Sequence, residues 1–175
     1  MSALNAGWCR LCRRVGDPGS QSRPTSVEPP GMFIEHHWLE HHMTDIPDSH
    51  RDLLESATAV LATVGGDGRP QLSAVWFLAD GDQIRVSLNT SRQKVKNLCA
   101  NPAVNLFILD SSAPTRYLEI RGDAEVTEDP DYAFADRVGQ KYGTDLRGFD
   151  GDNLHRVVVT LKPVRVNAVD ILAAA

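Results

Sequence analysis

The chain is poor in cysteine, in lysine and in long apolar runs. Its 175 residues include three cysteines, too few for a disulfide framework, so nothing points to an oxidising compartment. No stretch approaches the ~18 uninterrupted apolar residues of a membrane span, which argues against an integral membrane protein. The N-terminus lacks the apolar run of roughly 7–15 residues that a secretory signal needs. The net charge is −5, which disfavours a general nucleic-acid coat. What remains is a hydrophobic fraction of 42% and a charged fraction of 23%. That is an ordinary globular balance, and the length suits one domain with an appendage.

These totals conceal an asymmetry. Residues 1–42 carry four arginines and four acids, so the whole net charge of −5 belongs to residues 43–175. Gly16-Asp17-Pro18-Gly19 and Glu28-Pro29-Pro30-Gly31 break any helical or strand periodicity upstream. Residues 1–42 are therefore expected to be a disordered or spurious N-terminal extension, and residues 43–175 the folded domain. Cys9 and Cys12 form a CxxC pair, followed by His36, His37, His41 and His42. Zinc takes such ligands. However, the 23 residues between Cys12 and His36 are rich in proline and glycine and carry no helix to present the histidines. No metal site is expected.

Downstream the pattern is regular. A short helix is predicted over Arg51 to Glu55, capped by Asp48 or Ser49. Strands follow over Ala57–Val64, Pro70–Leu78 and Gln83–Leu88, with turns at Gly65–Gly68 and Asp80-Gly81. The period then changes: Val95, Leu98 and Cys99 mark a helix from Ser91 to Cys99, which Asn101-Pro102 ends. Ala103–Leu109 and Tyr117–Val126 read as strands. A helix carrying Tyr132, Phe134, Val138 and Tyr142 begins near Pro130 and stops at Gly143. Arg156–Val169 reads as a long last strand, bent near Pro163. Short connections demand antiparallel pairing, and six such strands close most economically into a small barrel. The fold class is therefore mainly β with short helices (α+β), a six-stranded antiparallel Greek-key split barrel.

Arg92, Lys94 and Lys96 crowd the start of the helix after the third strand. The dipole disfavours cations at a helix N-terminus unless an anion compensates. That end, with Ser87, Asn89, Thr90 and Ser91 before it, suits a phosphate. On the second strand Gln71, Ser73 and Val75 share one face, where Gln71 and Ser73 offer hydrogen bonds to a ligand ring. The same residues also fit an ordinary strand with one solvated face. No His–Asp pair lies near these motifs, and His155 reads as structural or solvent-exposed.

The segments DGRPQLSAVWF and VSLNTSRQKVKNL, with YLEIRGDAEVTED and RVVVTLKPVRVNAVD, resemble the pyridoxamine 5′-phosphate oxidase-like FMN-binding split-barrel superfamily. Within it they are most similar to the actinobacterial branch that uses the deazaflavin coenzyme F420. The resemblance covers about residues 48–172. It implies a cytoplasmic homodimer with cofactor at the interface, coenzyme F420 or alternatively FMN, and reduction of a small-molecule electron acceptor. By the same resemblance Arg92 and Lys94 bind the cofactor phosphate, and Gln71 and Ser73 lie near the ring. Ser87, Leu88 and Asn89 pass along the cofactor, and Tyr117 reaches it from the partner subunit. No catalytic residue, nucleic-acid partner or membrane is implied; an FMN enzyme or a non-catalytic binding protein is the alternative. The chain lacks the C-terminal segment that carries the substrate-binding Arg and His of true pyridoxamine phosphate oxidases, which argues against vitamin B6 oxidation. The loops Asp110–Thr115 and Asp145–Asn153 are candidates to shape the substrate face.

Overall fold

The computed structural model describes Cys12 and residues 45–152 and 155–173. A 3-10 helix, Asp48–Glu55, buries Leu53 and Leu54; Pro47 occupies its N-cap, and neither Asp48 nor Ser49 caps it. Seven strands follow: β1 Ala59–Val64, β2 Pro70–Val75, β3 Leu78–Asp80, β4 Gln83–Asn89, β5 Ala103–Leu109, β6 Arg116–Glu128 and β7 Arg156–Asp170. Helix α1, Gln93–Ala100, joins β4 to β5, and α2, Ala133–Tyr142, leads from β6 towards β7. A second 3-10 turn covers Leu146–Phe149.

All pairings are antiparallel, in the order β2-β1-β5-β6-β7-β4-β3. The two edge strands, β2 and β3, are consecutive in the chain and separated by Trp76-Phe77 alone. The sheet therefore curls so that this short link joins its two edges, forming the expected antiparallel split barrel of the α+β class, with seven strands rather than six. The extra strand has a local cause. Phe77 is fully buried, and its backbone is occupied by a side chain: Phe77 N–H donates to Tyr142 Oη (3.2 Å), which donates to the Phe77 carbonyl (3.1 Å). With those groups taken, the predicted strand Pro70–Leu78 breaks in two.

Alternation fills the barrel. Leu61, Ile84, Val86, Leu106, Ile108, Leu118, Ile120, Val157 and Val159 are each at most 1% exposed, and each such side chain contributes about 1.5–3 kcal/mol by leaving water. The β1–β2 turn uses Gly68 at φ 78°, a conformation glycine adopts without steric cost. The ladder shifts register between Arg121 and Gly122, opposite Pro163, so the long strand is irregular where proline cannot donate. Gly122 is there because an added Cβ would land on the Lys162 carbonyl oxygen. Gly122→Ala is expected to cost about 2–3 kcal/mol, read as a lower denaturant midpoint at unchanged slope; no change would mean that β6 and β7 separate freely at this point.

Cys12 is 3% exposed and forms a disulfide with Cys99 on α1, 87 residues away. This pairing was not expected from three cysteines. Cys9, His36, His37, His41 and His42, the other residues weighed as metal ligands, lie outside the described residues. Among the described residues no helix is long and apolar enough to cross a membrane.

Candidate functional site

The strand-to-helix turn after β4 is the organising element. Along β4, Ile84, Val86 and Leu88 point into the core, while Ser87 faces the other way. At the strand end, the side-chain oxygen of buried Asn89 accepts from the Ser91 N–H (2.9 Å) and from Ser91 Oγ (2.7 Å). The Arg92 N–H donates to the Asn89 carbonyl (3.1 Å). This Asn turn fixes where α1 begins, with Arg92 at its N-cap and no acid in its first turn. Lys94 is half-buried; burial, then the adjacent charge of Arg92, lowers its pKa. Neither Arg92 nor Lys94 has a carboxylate partner among the described residues.

A cleft of about 420 Å³ opens against this turn. Ser87, Leu88, Asn89, Arg92 and Lys94 form one wall. Ala74, Val75 and Trp76 at the end of β2 form another. The indole of Trp76 stacks on Tyr142 at 4.6 Å and 7°, and Phe149 meets it edge-on at 6.2 Å and 87°. The Tyr142 hydroxyl is fastened to the Phe77 backbone, which anchors the ring on which Trp76 stacks. The back of the cleft is Arg156, a buried cation paired with buried Asp150. The cleft thus has a cationic end and an apolar aromatic end.

Of the eight residues singled out in the sequence, Ser87, Leu88, Asn89, Arg92 and Lys94 come together here. Gln71 and Ser73 do not line this cleft. They lie on the opposite face of β2 from Leu72 and Ala74, where Gln71 accepts from Asn97 Nδ2 (3.0 Å), which also donates to Thr63 Oγ1 (3.1 Å). Ser73 Oγ is buried with no hydrogen-bond partner among the described residues. Tyr117 sits on the outer face of β6, its ring 5.1 Å from Phe107. His155 is exposed, and its carbonyl accepts the Thr90 N–H. Of the two candidate loops, the second reaches the cleft through Leu146 and Phe149. Arg156 and Trp76 also line the cleft, and no sequence motif marks them as ligand-facing. The one sequence signal for Arg156 is a charge opening a run of valines, six residues after Asp150.

The chain matches the pyridoxamine 5′-phosphate oxidase family over residues 46–170. Among solved structures it is similar to an F420 reductase, with 38% identity and a TM-score of 0.63 over 70% of this chain and 98% of that one. A conserved hypothetical protein from Mycobacterium tuberculosis is 26% identical, with a TM-score of 0.60 over 71% and 85% of the two chains. HutZ, a heme storage protein from Vibrio cholerae, is 19% identical at a TM-score of 0.58, over 71% and 95%, and shares the fold alone. No curated protein matches the chain.

Proposed function

Because the chain belongs to the pyridoxamine 5′-phosphate oxidase family, we propose that it is an oxidoreductase that uses reduced coenzyme F420 to reduce a small organic acceptor. The observation that carries this reading is the convergence of Arg92, Lys94 and Ser87 on one cleft with an aromatic flank. Two cations without carboxylate partners among the described residues, at a helix N-terminus in an acidic chain, fit a phosphate. When bound, the reduced deazaflavin supplies a hydride equivalent to an electron-poor double bond. Arg92 and Lys94 hold the phosphate end by charge-assisted hydrogen bonds. Ser87 hydrogen-bonds the cofactor along β4, and Leu88 packs beside it. Trp76, Tyr142 and Phe149 exclude water from the other end. No side chain needs to act as a nucleophile.

A homodimer completes the site in this reading. The outer face of β1, β5 and β6 presents Val60, Ala62, Phe107 and Tyr117, and Leu72 on β2 is 65% exposed. A second copy covers that face and brings its Tyr117 towards the cofactor. Fluorescence titration tests the proposal: F420 is expected to bind at micromolar concentration and at least tenfold more tightly than FMN. Preference for FMN would replace it with an FMN-dependent enzyme of the same fold. F420 binding without oxidation by any acceptor in a broad panel would reduce it to a carrier.

A further inference from the structure

We infer that Arg156 is a positioning residue that makes the Ser87 hydroxyl a hydrogen-bond donor to an acceptor oxygen of the ligand in the cleft, an inference that rests on the cofactor-binding reading above. Arg156 opens β7 and is 7% exposed. Its Nε donates to Asp150 Oδ2 (2.6 Å) and its Nη2 to Asp150 Oδ1 (2.9 Å), a two-pronged pair. Nη2 also reaches the Leu146 carbonyl (3.4 Å). The remaining arm, Nη1, donates to Ser87 Oγ (3.0 Å).

A guanidinium has donors and no acceptor. The Ser87 oxygen must therefore accept from Arg156, and its own proton points elsewhere. Among the described residues no group takes that proton, and Ser87 lines the cleft. The guanidinium cannot turn to offer an alternative, because Asp150 is held in its turn. Tyr132 Oη donates to Asp150 Oδ2 (2.9 Å), although Tyr132 sits at φ 59°, a left-handed conformation costly for a bulky side chain. The chain Tyr132–Asp150–Arg156–Ser87 thus fixes the polarity of one hydroxyl. With Arg92 and Lys94 it makes the cationic end of the cleft a wall of donors. A ligand oxygen is accepted there, whether phosphate or ring carbonyl.

Affinity of the full chain for F420, and for the deazaflavin riboside lacking the phosphate tail, tests this. Ser87→Thr keeps the hydroxyl and is expected to bind within about twofold of wild type. Ser87→Val, of the same shape, is expected to bind about tenfold more weakly, the upper end of what one neutral hydrogen bond contributes. Equal affinities for the two variants overturn the inference. A loss seen with both ligands places the accepted oxygen on the ring or its sugar chain; a loss confined to F420 places it on the phosphate. The positioning role is read in the charge-neutral background Asp150→Asn with Arg156→Gln, where the glutamine carbonyl can take the serine proton. There Ser87→Val is expected to cost less than about threefold, and an undiminished cost shows that Arg156 does not set the hydroxyl. If that background does not fold, the single variant Arg156→Gln takes its place, and an undiminished cost of Ser87→Val there overturns the positioning role. Wild type that binds neither F420 nor FMN would instead sink the functional reading itself.

Discussion

Asp150→Ala is expected to lower the unfolding free energy by about 3–5 kcal/mol, the range for removing one partner of a buried ion pair. The size follows from what is left behind. The side chains of Arg156 and Asp150 are 6% and 1% exposed. Without the carboxylate, a guanidinium stays buried with its charge uncompensated. Tyr132 also loses the acceptor that holds its left-handed backbone. The Arg147–Asp136 pair is a control, since its side chains are 43% and 47% exposed and such pairs contribute at most about 1 kcal/mol. Asp136→Ala is therefore nearly silent in the same denaturation assay. A loss below about 1 kcal/mol for Asp150→Ala would mean that Arg156 reaches solvent.

The pair also has a pH signature. Burial opposes ionisation of Asp150, but hydrogen bonds from Arg156, Tyr132 and Asn89 outweigh it and hold its pKa below the ordinary 3.8. A depressed carboxylate stabilises the fold above its unfolded pKa, and that contribution disappears as pH falls through the folded value. The gap between wild type and Asp150→Ala should therefore be full at neutral pH and narrow on acidification below about pH 4.

The readable parts of this molecule are those whose cause is local. Alternation in β4, the hairpin glycines and the stop at Gly143 are each set by neighbours within a few residues. The cationic end of the cleft was legible for the same reason: Ser87, Asn89, Arg92 and Lys94 follow one another along a strand, a turn and a helix start. The break between β2 and β3 was not legible, because the phenol that occupies the Phe77 backbone belongs to Tyr142, 65 residues away. Tyr132 has the spacing of a residue on the apolar helix face. It instead precedes α2, while Asp129 caps the helix through the Phe134 and Ala135 amides. Arg156 could not be assigned from its neighbours, since its hydrogen bond to Ser87 spans 69 residues. A polar side chain in a strand, such as Gln71, has no visible partner in sequence; in the fold Asn97, 26 residues on, donates to it.

Removing both cations of the cleft, Arg92→Ala with Lys94→Ala, is expected to weaken F420 binding by more than either single change. A charge-assisted hydrogen bond contributes about 1.5–3 kcal/mol, so each single variant should bind about tenfold or more weakly. The two are not additive, because each raises the cost of the other: part of the lowered pKa of Lys94 comes from Arg92. The direction of the stability change separates a binding role from a structural one. Like charges at a helix N-terminus oppose the dipole, and among the described residues neither has a carboxylate partner, so the ligand-free double variant should melt at or above the wild-type temperature. Alkaline pH probes the same charge. The pKa of Lys94 lies below the ordinary 10.5 of a lysine, and phosphate favours its protonated form. Affinity is therefore full at neutral pH and falls as pH rises through that lowered value, and Lys94→Ala should abolish this fall. A double variant that binds within twofold of wild type would place the phosphate elsewhere. One that loses both affinity and stability would make Arg92 and Lys94 props of the fold rather than the hold on a ligand.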